Sequence, residues 1–167
     1  RQRNAGAEES QALWAALRSA DSEEERQLLV RALAVDPNPA RAKQLLEASV
    51  AGWLPPNIAT DLPGIVGNEP VHAVRAYEFA AARWPQLAKL AGSGVFGARA
   101  WLLPGAADGS SDRAAAARLR KDQRRLAGPT GGMPAETVAT AIEVRAALRE
   151  READRLGAAL AAWSPAR

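Results

Sequence analysis

The sequence predicts an all-α protein, arranged as an irregular superhelix of antiparallel helix pairs like those of HEAT and armadillo repeats. Apolar residues recur at helical spacing along most of the chain, and short turns rich in Pro and Gly separate the segments. No stretch alternates apolar and polar residues as a half-buried strand would. Because short helices bury their apolar faces by stacking on neighbours, we expect a layered array.

Capping signals place the first helices. Helical spacing predicts a helix at residues 8–19, and Ser22 followed by Glu25 forms a capping box that starts the next. Asp36-Pro37 ends that helix because the residue before proline avoids helical geometry. Asn38-Pro39 then starts a third helix. The very short connection predicts an antiparallel pair.

The same signals predict the remaining elements. Further helices are expected at residues 57–66, 69–83, 85–91, 95–103, 112–128 and 134–163, with loops at 104–112 and 127–134. In the helix at 69–83, Tyr77 and Phe79 fall on different faces. We therefore expect this helix to pack on both sides.

A single folded domain spanning residues 1–167 is expected from the composition, which is 47% hydrophobic and 25% charged. The chain has no Cys, which excludes disulfides and thiolate metal sites. No apolar run approaches the roughly 20 residues that span a bilayer, so no membrane partner is expected. The net charge is only +3, which is weak evidence for a nucleic-acid partner.

Few residues of this sequence support a metal site or a site for nucleophilic catalysis. The single histidine, His72, follows Glu69 at a spacing used in carboxylate-bridged metal sites, but the second pair that such sites need is absent. A surface or capping histidine is the favoured interpretation. Ser110 and Ser111 lie in a Gly-rich loop without a nucleophile-elbow pattern, and helix capping accounts for them.

The densest basic segment is residues 112–128, which could present a phosphate-binding face. The favoured alternative is a solvated amphipathic helix whose arginines pair with acidic neighbours such as Glu143 and Glu150, because no aromatic residues interleave for base stacking. The basic residues are Arg113, Arg118, Arg120, Lys121, Arg124 and Arg125.

The last predicted helix carries an apolar stripe that thins in the middle, where residues 149–155 alternate in charge. Either this middle faces solvent with ion pairs along the helix, or the helix has a face open to a partner. The stripe consists of Val138, Ile142, Ala153, Leu156, Leu160 and Trp163.

Residues 22–90 resemble the C-terminal helical domain of the M1 zinc aminopeptidases. The matching elements are Ala-Leu-Ala at 32–34, Leu-Leu-Glu at 45–47, the run GNEPVHAVRAYEF from Gly67, and the segment from Trp84 to Leu87. Two features depart from the family pattern. The family's Arg-Pro-Gln-Asp motif is replaced by other residues around positions 55–57, and Tyr77 occupies a position where the family more often has Trp.

The resemblance implies a fragment of a bacterial, cytoplasmic enzyme that removes N-terminal residues from peptides. The chain starts at Arg1 and its only methionine is Met133, which is consistent with a fragment. It has no HExxH motif, so catalytic and metal residues are expected to be absent here and zinc to lie in the parent enzyme. The implied partners are the catalytic domain of the same polypeptide, over which this domain closes, and peptide substrates.

Two arginines are candidates for substrate binding under this resemblance. Arg75 and Arg120 are expected to meet the C-terminal carboxylate of a peptide. The alternative is a free-standing helical-repeat module whose basic helix recruits an acidic protein or nucleic acid.

Overall fold

The computed structural model describes residues 2–92, 98–128 and 132–163, and no strand occurs within these ranges. The prediction of an all-α fold is confirmed, whereas the superhelical arrangement stays a prediction. The helices are α1 (Gln2–Ser19), α2 (Glu23–Ala34), α3 (Pro39–Ala48), α4 (Pro56–Gly67), α5 (Ala73–Ala82), α6 (Trp84–Ala91), α7 (Ala98–Ala107), α8 (Arg113–Leu126) and α9 (Gly132–Ala162).

Side-chain caps start three of these helices. The backbone N–H of Glu25 donates to Ser22 Oγ at 3.1 Å at the start of α2. Asn38 caps α3, where its Oδ1 accepts from the Ala40 N–H at 2.9 Å. Asp112 caps α8 in the same way. The starts predicted for α2 and α3 are therefore confirmed at the level of individual hydrogen bonds.

Helices that follow one another in the chain pack side by side, and α4 lies at the centre. It contacts α2, α3, α5, α6 and α7, while α8 and α9 form a closing pair that packs on α7. Ile58, Leu62 and Val66 are the large aliphatic side chains that α4 buries in the common core. The helix predicted at 69–83 does pack on two sides, because Tyr77 is buried and Phe79 is half-buried.

The contact between α4 and α7 brings two backbones together. A Cβ built on Gly67 would lie 2.3 Å from the carbonyl oxygen of Ala106, and one on Gly109 would lie 2.4 Å from the carbonyl oxygen of Gly67. The N–H of Gly109 donates to that same Gly67 oxygen at 2.8 Å. Only glycine fits at these two positions, since real Cβ atoms do not approach so closely.

The loop predicted at 104–112 is wrong in its first part, because α7 continues through Pro104 to Ala107. A proline inside a helix has no N–H for the carbonyl four residues earlier. Here that carbonyl belongs to Ala100, and it accepts a hydrogen bond from Gln123 Nε2 at 3.2 Å. The buried Gln123 of α8 thus replaces the missing helical donor.

Three other boundaries differ from the predictions. The helix expected to begin at residue 69 begins at Ala73, because residues 68–72 form separate turns. The first helix already begins at Gln2, and Pro134 lies inside the first turn of α9 instead of ending a loop. Of the helix predicted at 95–103, residues 95–97 lie outside the described residues.

Gly67→Ala tests the backbone contact between α4 and α7. Because the new Cβ would overlap the Ala106 backbone, the free energy of unfolding should fall by about 1–3 kcal/mol or more. Gly64→Ala on the same helix is the matched control, since its Cβ would meet Gly105 at 3.8 Å, an ordinary contact. The control should be neutral or stabilising by up to about 1 kcal/mol in urea denaturation. Equal losses in both variants would contradict the contact.

A double-mutant cycle tests the bond between Gln123 and the Ala100 carbonyl. Gln123→Met removes the donor, and Pro104→Ala restores the helical N–H to the same carbonyl. Gln123→Met should therefore lower the free energy of unfolding less in the Pro104→Ala background than in the wild type. Chemical denaturation should give a coupling energy of about 1 kcal/mol. Additive changes in the free energy of unfolding would mean that Gln123 does not compensate for the backbone N–H that Pro104 lacks.

Candidate binding cleft

His72 is a structural residue. It lies at the start of α5, is 1% exposed, and its Nε2 lies 2.7 Å from the backbone oxygen of Asp36. Since a carbonyl only accepts, Nε2 carries the proton. The prediction of a surface histidine is wrong, because the side chain is buried; His72 does occupy the N-cap position of α5, but its side chain makes no capping hydrogen bond. Within the described ranges, no three His, Cys, Asp or Glu side chains are grouped so that they could hold a metal ion.

The loop that His72 contacts is fixed by an ion pair. Arg41 bonds the Asp36 carboxylate, and it also donates to the Gly6 carbonyl of α1 at 2.7 Å. Burial by itself raises the pKa of Asp36, but the bonds from Arg41 and the Asn38 N–H outweigh it and hold that pKa below its usual value. This corner of the molecule therefore joins α1, α2, α3 and α5.

Tyr77 of α5 forms a second polar link. Its hydroxyl donates to Asp122 Oδ2 of α8 at 2.7 Å. Burial, and then the bond to the Asp122 carboxylate, raise the pKa of the Tyr77 phenol, so the hydroxyl remains a donor at neutral pH. The aromatic face of α5 thus serves packing and helix pairing.

Arg75 and Arg120, the two predicted substrate-binding residues, are not brought together. Arg75 is two residues from Tyr77, and Arg120 is two residues from Asp122, which on a helix is a rotation of about 200°. Both arginines therefore extend away from the Tyr77–Asp122 contact. Arg75 is half-buried and has no ion pair among the described side chains.

Arg120 is already held by two carboxylates. Its Nη2 lies 2.7 Å from Glu136 and its Nη1 lies 2.5 Å from Glu143, both on α9. These hydrogen bonds raise the pKa of Arg120 and lower the pKa values of both carboxyl groups. A substrate carboxylate at Arg120 would have to displace one of these partners.

Most of the basic charge of α8 is neutralised within the fold. Arg113 pairs with Glu150 at 3.0 Å, Arg118 lies within 4 Å of Glu78 and Asp112, and Arg125 pairs with Asp122. Pairing with Glu143 and Glu150 is what the sequence favoured for this segment, and the structure confirms it. The arrangement leaves little of the continuous positive field that phosphate binding needs.

The apolar stripe of α9 is only half covered. Val138 and Ile142 are buried, whereas Leu156, Leu160 and Trp163 are 64%, 66% and 77% exposed. The charged middle faces solvent, with ion pairs from Glu152 to Arg151 and Arg155. The prediction of a solvent-facing middle is confirmed, and the end of the helix presents an open apolar face.

A cleft of about 250 Å³ lies between α2, α4 and α7. Gly64 and Gly105 line it where the two helices approach, and the half-exposed Trp101 lies at its edge. Arg31 of α2 and Asp61 of α4 supply opposite charges. Neither makes an ion pair or hydrogen bond with another described side chain. The cleft therefore offers a guanidinium that can bind an anion, a carboxylate that can bind a cation, and an apolar indole surface.

Asp61 carries the electrostatic signature of this cleft. Its side chain is exposed to solvent, but partial desolvation by the surrounding atoms raises the pKa of its carboxyl group, Arg31 opposes this rise and Glu23 adds to it. A carboxylate in such a position gains from a bound cation such as an ammonium group. No sequence motif indicates this site, because its residues come from three different helices.

The chain matches no known protein family, and no curated protein is significantly similar to it. Among the described residues, no helix combines the length and apolar character that crossing a membrane requires.

Asp61→Asn tests whether partial desolvation of this carboxylate lowers the stability of the fold. Its raised pKa means that the folded state binds the proton more tightly, so wild-type stability falls as pH rises from the ordinary value of 3.8 through the folded pKa. The variant has no such loss and should be more stable than wild type at pH 7, with no difference below about pH 3.5. Urea denaturation at several pH values measures this, with Asp154→Asn on exposed α9 as control. A less stable Asp61→Asn at pH 7 would contradict the assignment.

Proposed function

We propose that this chain is the C-terminal helical domain of an M1-type zinc aminopeptidase, where it closes over the catalytic domain and limits the access of peptides. The resemblance over residues 22–90 is the observation that carries the proposal. These residues comprise α2 to α6, which pack as one block around α4. The resemblance thus coincides with a contiguous part of the core.

The domain acts through its surface and supplies no catalytic step. As the resemblance implies, the metal and the hydrolysis would belong to the catalytic domain, since this sequence has no HExxH motif. Here the cleft with Arg31, Asp61 and Trp101 forms part of the chamber wall. Its two charges and indole ring match the polar main chain and apolar side chains of a peptide.

Arg75 remains the better of the two sequence-predicted arginines for a substrate carboxylate. Arg120 is engaged by Glu136 and Glu143, whereas Arg75 has no ion pair among the described side chains. A free guanidinium can bind a carboxylate without first losing a partner.

The first test is to sequence the reading frame upstream of the codon for Arg1. An in-frame HExxH with its downstream Glu would support the aminopeptidase parent. A start codon just before Arg1, without a peptidase core, would remove the proposal.

Kinetics of the full enzyme test the role of the domain. Arg31→Ala and Arg75→Ala should raise the Michaelis constant for oligopeptides, by about tenfold where a charged hydrogen bond is lost. A single-residue chromogenic substrate, too short to reach this domain, should be unaffected. Arg155→Ala on exposed α9 is the control. Unchanged oligopeptide kinetics in both test variants would exclude these residues from substrate binding.

A further inference from the structure

The end of α9 projects from the body of the molecule. Among the described residues, the last hydrogen bond and ion pair from α9 to the body are those of Arg149 with Ser111 Oγ at 3.2 Å and of Glu150 with Arg113. Every residue from 147 to 160 is exposed. Residues 151–163, called here the projecting end, span about 20 Å at 1.5 Å per residue.

The projecting end continues the apolar face on which α9 already packs. Ala139, Ile142 and Ala146 are buried against the body and recur at alternating steps of three and four residues. The same steps pass through Arg149, which bonds Ser111 Oγ, and then reach Ala153, Leu156, Leu160 and Trp163, all four of them exposed. A lone helix of this length is marginal in water, so a covering partner would stabilise it.

We propose that a second copy of this chain covers the projecting end, with the two α9 helices antiparallel. In antiparallel pairing about a two-fold axis near residue 158, Ala153 lies opposite Trp163 of the second copy. Leu156 then lies opposite Leu160 of the second copy. The smallest residue of the face meets the largest, and the two leucines meet each other, so each layer has a similar volume.

Gly157 supports the same arrangement independently. Glycine inside an exposed helix costs about 1 kcal/mol relative to alanine. A Cβ on Gly157 would meet none of the described residues within 4 Å, so the packing of these residues gives no reason for the glycine. In the antiparallel pair the Gly157 residues of both copies flank the two-fold axis on one side, and the Ala159 residues flank it on the other. Small residues at both positions let the helices approach closely.

Charge and volume favour antiparallel over parallel pairing. No charged residue occurs between Leu156 and Trp163, whereas residues 149–155 are rich in charge. Antiparallel helices set the charged part of one copy beside the uncharged part of the other. A parallel pair in register would place Trp163 against Trp163 and Ala153 against Ala153, which crowds one layer and leaves a gap in the other.

Analytical ultracentrifugation of the 167-residue chain tests the dimer. Because only the roughly 20 Å of the projecting end would make the contact, we expect it to bury less than the roughly 800 Å² per partner of standard interfaces, and dimerisation is expected at about 10–100 µM. Leu160→Asp should make the chain monomeric across this range. Leu28→Asp, at a 70% exposed position on α2, is the control and should remain dimeric. A monomeric wild type at 500 µM, or a dimeric Leu160→Asp, would overturn the proposal.

Cysteine cross-linking tests the orientation, because the natural chain has no cysteine. Ala159→Cys lies beside the two-fold axis and should form a disulfide-linked dimer under mild oxidation. Arg151→Cys, on the opposite side of the helix, should not. Equal cross-linking of both variants would contradict the antiparallel pair. The result does not depend on the proposed function, which the upstream reading frame tests separately.

Discussion

The backbone contact between α4 and α7 is the constraint on which the fold depends. At Gly67 and Gly109 the two segments approach so closely that a side chain on either residue would overlap main-chain atoms. The Gly109 N–H also bonds the Gly67 carbonyl. Because α4 contacts five other helices, this one contact fixes the distance between the N-terminal helices and the pair α8 and α9.

Buried polar groups set the register of helices around that contact. Nε2 of His72 bonds the Asp36 carbonyl, the Tyr77 hydroxyl bonds Asp122, and Gln123 bonds the carbonyl that Pro104 leaves free. Each bond joins residues at least 23 positions apart in the chain. A buried polar group without a partner is costly, so each bond favours one arrangement over neighbouring alternatives.

The distribution of charge bears on both proposals. Arginines of α8 such as Arg113 and Arg120 are paired with carboxylates of the same chain, whereas Arg31 and Asp61 in the cleft make no ion pair with another described side chain. The projecting end of α9 has the opposite character beyond Leu156, since it is uncharged and apolar.

The sequence by itself determined what depends on neighbours within a few residues. The starts of α2 and α3 follow from Ser22 and from Asn38-Pro39, and the all-α class follows from apolar spacing, because caps and periodicity are local. The ion pairs of α8 with Glu143 and Glu150 can also be predicted from the sequence, since the opposite charges lie on amphipathic helices that are adjacent in the chain. Only the tertiary structure decided that α7 runs through Pro104, that His72 is buried, and that Arg31, Asp61 and Trp101 share a cleft. Each of these features depends on a residue that is distant in the chain, such as Gln123 or the Asp36 carbonyl. Local sequence patterns do not indicate which distant segments will pack together.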